Sequence, residues 1–376
     1  MQRSRFVSLL TLPVLCSTLA GCGSRRQLLL LNWGEYINDE VVANFEKEYN
    51  CEVVVSIADS NELFYSKVKS GTTVYDLVVP SDYMVKKMKE ANLIQKIDTS
   101  RLSNYDENNF LPGVLGIETE FINNYGFEDI KEYLIPYFWG TFGLMYNNNK
   151  VGLKEALEKD GWDAYFDKSK LPSGTRTGMY NVPRNSYAAC LFKENFSPNL
   201  EGDEYLKIVE KDLSNAHFDQ WGTDDLKKQV QKGDLDVAYM YTGDFLDMFY
   251  QDIEDGVKKE DITYDVYIPK NTIAFMDNFV LTKNARHVDL AYDFMNYFLD
   301  TDNAYENASV VGYCTPLKST YEKILSDGDA RSYAMEKYYP IIDDETKPYI
   351  GTPLTNFDKN YLTKITNIVN DVKTRR

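Results

Sequence analysis

Apolar positions along this chain alternate between two rhythms. Leu28 to Leu31 is an unbroken apolar run between polar neighbours, the pattern of a buried strand, and Glu52 to Ser56 carries three valines in a row as a second. Between them Asn38-Asp39-Glu40 opens a helix whose apolar stripe is Val42, Phe45 and Tyr49. Asp59 to Glu62 has the form of a capping arrangement, starting a helix through about Val68 that Gly71 ends. Tyr75 to Pro80 reads as a third strand, and Ser81-Asp82-Tyr83 leads from it into a helix carrying Val85 and Met88. The order is βαβαβ, a parallel sheet wound by helices.

Further on, Tyr133 to Gly140 is aromatic and Pro136 resists a helix there, so we read it as a crossover into a second lobe. Strands are predicted at Leu144–Tyr146, Gly178–Val182 and Asp236–Tyr241, with helical stretches starting at Gly161-Trp162 and Pro183. Phe275-Met276-Asp277 turns into a return strand at Phe279–Leu281, His287 to Leu299 is an amphipathic helix, and Val310 to Pro316 is extended. No internal repeat stands out.

Ligands of open α/β sheets sit in the crevice outside the carboxyl ends of the strands. Here those ends gather aromatic rings and oxygens: Trp33, Glu35 and Tyr36; Ser81, Asp82 and Tyr83; Tyr241 and Asp244; Phe275 and Asp277; and Tyr313. Each cluster alone is more often core or solvated surface than a binding site. Five together describe a ring-lined cleft, and the loops 32–36 and 81–83 should border one crevice. An indole with a carboxylate two residues on suits an organic cation, the ring face taking charge or methylenes and the carboxylate an ammonium.

Composition narrows this picture. Residues 1 to 21, with Arg3 and Arg5 before an apolar stretch from Phe6 to Leu19, form an export signal too short to span a bilayer. Leu19-Ala20-Gly21-Cys22 matches the bacterial lipoprotein cleavage motif, making Cys22 the expected lipidated residue and 22–26 a tether. The remaining chain is too long for one simple core, so two lobes are the default. A formal charge of -17 argues against nucleic acid or an anionic membrane surface as partner and suits cationic ligands. Cys51, Cys190 and Cys314 have no metal or redox spacing and read as small core residues, and no metal or other cofactor is expected. The two histidines read as surface residues, and the chain has no GxSxG, GxxxxGK[ST], HExxH or CxxC motif, which leaves no basis for an enzyme.

Four stretches carry a resemblance. Asn32-Trp33-Gly34-Glu35-Tyr36, Tyr75 to Tyr83, Ile135 to Gly140 and Val311 to Pro316 resemble, in order, segments of the spermidine/putrescine-binding proteins of bacterial polyamine transporters. The resemblance implies an α/β, two-lobed periplasmic-binding-protein fold of type II. Each lobe is then a wound sheet flanked by helices, with the ligand cleft between lobes. Lobe 1 would comprise 27–136 and 277–321, and lobe 2 137–276 and 322–376. It also implies Trp33, Tyr36, Tyr83, Tyr241, Phe275 and Tyr313 as ring walls, with Glu35, Ser81 and Asp277 as polar contacts and Asp82 beside them. The implied role is capture of putrescine or spermidine by a monomer, lipid-anchored outside the cytoplasm, for delivery to an ABC permease and its ATPase.

The sequence departs from that family at Val182-Pro183-Arg184-Asn185, where Asn185 replaces an amine-binding carboxylate. Family tryptophans are replaced by Tyr241 and Phe275, and Lys347 lies close to the position of a family glutamine. Two other readings therefore stay open: capture of another small solute such as an amino acid, or a surface lipoprotein acting as sensor or adhesin.

Overall fold

The computed structural model describes residues 25–375, so the export signal and Cys22 lie outside the described residues. Ten strands share one sheet: β1 (Arg26–Asn32), β2 (Cys51–Ile57), β3 (Leu77–Val78), β4 (Ile135–Asn147), β5 (Thr177–Tyr180), β6 (Gln220–Gly222), β7 (Val237–Tyr241), β8 (Tyr264–Tyr267), β9 (Ile273–Leu281) and β10 (Thr352–Pro353). Their order is β2-β1-β3-β9-β4-β7-β5-β6, with β8 beside β4 and β10 beside β9.

This order contains the same unit twice. In the first half β1 pairs in parallel with β2 and β3, and β9 closes the edge of β3 antiparallel. In the second, β5 pairs in parallel with β6 and β7, and β4 closes the edge of β7 antiparallel. The halves meet where β4 and β9 pair with each other, from Ile135 opposite Phe279 to Thr141 opposite Ala274. The aromatic stretch at 133–140 leads into a buried 13-residue strand, β4, whose first part pairs with β9 and whose remainder pairs with β7. Its proline is accommodated where the register shifts between Pro136 and Phe138, a place in a ladder that tolerates a missing N–H.

Most helices form as their caps suggest. Asn38 caps Asp39–Tyr49 by accepting from the Glu40 N–H, and Ser60 caps Asn61–Ser70, which Gly71 ends in a left-handed conformation. The chain from 310 to 316 differs from expectation. The helix Thr301–Val311 runs through both valines, because Asp300 caps it and Ala304, Ala308 and Val311 turn one face inward. Extended backbone begins only after Gly312 (φ 75°), and Cys314 then bridges to Trp139. The third strand is also shorter than its apolar run, although the Asp76 and Val79 amides still donate to Leu29 and Leu31 carbonyls. Phe275 to Leu281 is one continuous strand rather than a turn into a strand. Cys51, Cys190 and Cys314 are buried and unpaired.

Candidate functional site

The side chains named from the sequence line two adjoining cavities between the halves. Trp33 and Tyr241 border both. Ser81, Asp82, Tyr83, Asn185 and Phe275 border the first, and Glu35, Tyr36, Asp277 and Tyr313 the second. The loops 32–36 and 81–83 do flank one crevice.

Strand alternation sets the central pair. Phe275 and Asp277 are two residues apart on β9 and so share a face, while Met276 between them turns its N–H to Asp82 Oδ2 at 3.1 Å. Asp277 accepts a hydrogen bond from Ser81 Oγ at 2.6 Å and from the Tyr36 hydroxyl at 2.8 Å. Ser81 is itself held by Asn61, whose Nδ2 donates to Ser81 Oγ at 2.9 Å. Burial pushes the Asp277 carboxyl up to about 7, against the opposing pull of the two hydroxyls. Asp82 is more of a brace: its oxygens take the Tyr83 and Met276 amides, and burial holds its carboxyl well above the usual range.

The ring walls are anchored at their polar ends. Trp33 Nε1 donates to the Val79 carbonyl at 2.8 Å, tying the first loop to the end of the third strand, and its ring lies 4.8 Å from Phe64. Tyr36 and Tyr313 meet edge to face at 4.6 Å, and Tyr241 packs on Phe142 at 4.0 Å and on Phe275 at 5.0 Å. The ring of Tyr313 lies directly on Gly243, where a Cβ would stand 2.3 Å from a ring carbon, so no larger residue fits at 243. From there its hydroxyl donates to Asp244 Oδ1 at 3.1 Å.

Asp244 heads a second polar cluster, and sequence reasoning did not foresee its composition. Lys227, on the short helix Asp225–Gln231, places its ammonium 2.8 Å from Asp247 Oδ2, 3.4 Å from Glu35 Oε2 and 3.6 Å from Asp244 Oδ1. The lysine side chain is only 4% exposed. Burial pulls its charge down, but Asp244, Asp247 and Glu35 outweigh that and the ammonium is held more firmly than usual. Burial also raises Asp244, to about 7, with Lys227 opposing, and it raises Asp224 and Asp247 as well. Glu35 reaches this cluster from the other half on a backbone with φ 51°, a left-handed conformation uncommon outside glycine. The sequence signal for Lys227 was weak: it shares a helix face with Leu226 and Val230, both buried. Tyr180, at the end of β5, also borders both cavities and was not singled out.

Two residues from the departing segments lie elsewhere. Arg184 turns from the cleft and binds the Pro198 carbonyl, Asn199 Oδ1 and the Thr355 carbonyl while stacking on Phe357 at 4.1 Å. Lys347 sits against Tyr349 beside the helix Pro112–Asn124, in a groove that none of the cleft residues border. Asn356, near the C-terminus, donates its amide to the Tyr83 carbonyl. Asn185 stands in the first turn of the helix Pro183–Lys193, facing the first cavity.

Fold and cleft together define a binding protein for a small solute, and the relatives agree. Residues 40–332 match the bacterial extracellular solute-binding protein family, and the chain belongs to it. It is 30% identical over 304 residues to the putrescine-binding periplasmic protein of Escherichia coli, with 77% of each chain covered. Among solved structures, a Listeria monocytogenes protein provisionally named as a spermidine/putrescine ABC transporter superposes with a TM-score of 0.75 at 29% identity. That match covers 93% of this chain and 100% of the other. The substrate-binding protein of a spermidine/putrescine ABC transporter from Streptococcus pneumoniae gives 0.69 at 25%, covering 93% and 99%.

Proposed function

We propose that this protein captures a polyamine, putrescine or spermidine, in the inter-lobe cleft and hands it to an ABC permease driven by its ATPase. The observation that carries the reading is the pair of buried aspartates, Asp277 and Asp244, linked through the edge-to-face rings of Tyr36 and Tyr313. An α,ω-diamine needs this arrangement: an acceptor for each ammonium and aromatic walls for the methylenes between. A cation–ring contact contributes about 0.5–2 kcal/mol and a charge-assisted hydrogen bond about 1.5–3. The names of the relatives above support the ligand class.

In this reading the protein works outside the cytoplasm as a monomer held to the membrane by lipid on Cys22. Lobe 1 comprises 27–136 and 277–321, and lobe 2 137–276 and 322–376. The repeated sheet unit supports the division, as does the C-terminal helix Lys359–Thr374, whose Tyr361 hydroxyl lies 2.9 Å from that of Tyr187 in the second half. Calorimetry on protein unfolded and refolded to strip ligand tests the proposal, with polyamines, amino acids and sugars as titrants. Micromolar or tighter binding of a polyamine alone supports it, and binding of none refutes it. Asn185 favours one other reading, a different small solute such as an amino acid, which the same panel reveals.

A further inference from the structure

We propose that Lys227 is a specificity-determining residue: a built-in ammonium that occupies one cation position of the cleft, so that the site takes a short diamine and disfavours a triamine. The inference rests on the polyamine reading above and adds to it the choice among polyamines. Its basis is an account of acceptors. Asp247 already has a cation, with Oδ2 bound to Lys227 at 2.8 Å and Oδ1 accepting from Gln251 Nε2 at 2.7 Å. Asp244 Oδ1 is shared by the Tyr313 hydroxyl and the lysine, while Asp244 Oδ2 is buried with no protein partner. Asp277 receives only two hydroxyls, which leaves a lone pair on each oxygen for a cation.

An incoming ligand therefore finds two places for an ammonium, Asp277 and Asp244 Oδ2. A further cation position in the same cavity, beside Asp247 and Glu35, is held by the lysine head group. A lysine ammonium has the size, charge and three donors of the end of a polyamine. Lys227 is buried along with Leu226 and Val230 on its helix, so its stem is held out of water and the ammonium meets the carboxylates inside the protein. A third ammonium on the ligand must displace this one or lie beside it as a like charge in a water-poor site, and both are unfavourable.

The test is a pair of titrations, putrescine and spermidine, on the stripped full-length protein and on two variants, Lys227→Met and Lys227→Arg. On the unmodified protein putrescine should bind at least tenfold more tightly than spermidine. In Lys227→Met, which keeps the stem and removes the charge, the ratio should move at least tenfold toward spermidine. Lys227→Arg should keep the original order. Equal or tighter spermidine binding by the unmodified protein overturns the proposal, and this arm stands even if the methionine variant does not fold. A ratio unchanged in a folded Lys227→Met also overturns it. If polyamines bind but the lysine variants leave their ranking alone, only the lysine assignment falls. If no polyamine binds the unmodified protein, the polyamine reading falls with it.

Discussion

The two ends of the cleft each hold a buried aspartate with its carboxyl pushed up to about 7, and they reach that state differently. Asp277 stands among hydroxyls and rings, with burial opposed only by hydrogen bonds from Ser81 and Tyr36. Asp244 stands in a crowd of charge, burial opposed by a lysine while Asp224 and Asp247 push the other way. Equal acidity therefore hides unequal dependence on an outside cation. Among the described residues Asp277 has no cation beside it and gains the most from a ligand ammonium, whereas Asp244 is already partly compensated.

The sharpest way to break this comparison is to neutralise each end in turn. Asp277→Asn should weaken polyamine binding about a hundredfold or more, the loss of a buried charge-assisted contact of roughly 3 kcal/mol. Asp244→Asn should cost only about tenfold, and equal losses in calorimetry would mean the two ends are equivalent after all.

Acid comes next. A cationic ligand favours the ionised carboxyls, so below pH 7 binding has to displace protons. Affinity should then fall by up to about tenfold per pH unit for each carboxyl between pH 7 and pH 5. Titrations in buffers of different ionisation enthalpy should show the protons leaving, and Asp244→Asn should remove about half of them. Stability without ligand runs the opposite way. Both carboxyls have a higher pKa folded than unfolded, so the folded state holds protons that the unfolded state releases. Their contribution grows as pH falls from 7 to about 4 and then levels off.

The smallest effect separates hydroxyl from ring. Tyr313→Phe keeps the wall but frees Asp244 Oδ1, and should cost a few-fold in affinity, about 1 kcal/mol. Tyr36→Phe removes one of only two donors to Asp277 and should cost more; the reverse order, measured by calorimetry, would shift the centre of the site toward Asp244.

Strand-end loops were legible because their aromatic and polar residues interrupt apolar runs at the place where a wound sheet opens its crevice. Trp33, Ser81, Tyr241 and Asp277 could be found that way, and so could the βαβαβ start. Lys227 could not, because a lysine on a helix ordinarily reads as solvated, and only its position beside Leu226 and Val230 hinted otherwise. Asp247 follows Asp244 by one helical turn, but nothing local shows that both meet the same ammonium. Val310 and Val311 read as extended in the sequence, while the buried face from Ala304 onward decided for helix. The order of the central strands was hidden too. Pairing β4 with β9 joins residues more than a hundred positions apart, and the two-residue β10 is too short to leave a periodic trace.

That central pairing bears on how the protein opens. Because β4 and β9 pair from one half to the other, with one register shift at Pro136 and with Phe142 onward passing to β7 and Val280 to β3, the halves are not joined there by slack loops. They are joined by a torsion bar. Any opening of the cleft has to twist these two strands, and a substitution that stiffens either one should then shift affinity from a distance without touching the solute.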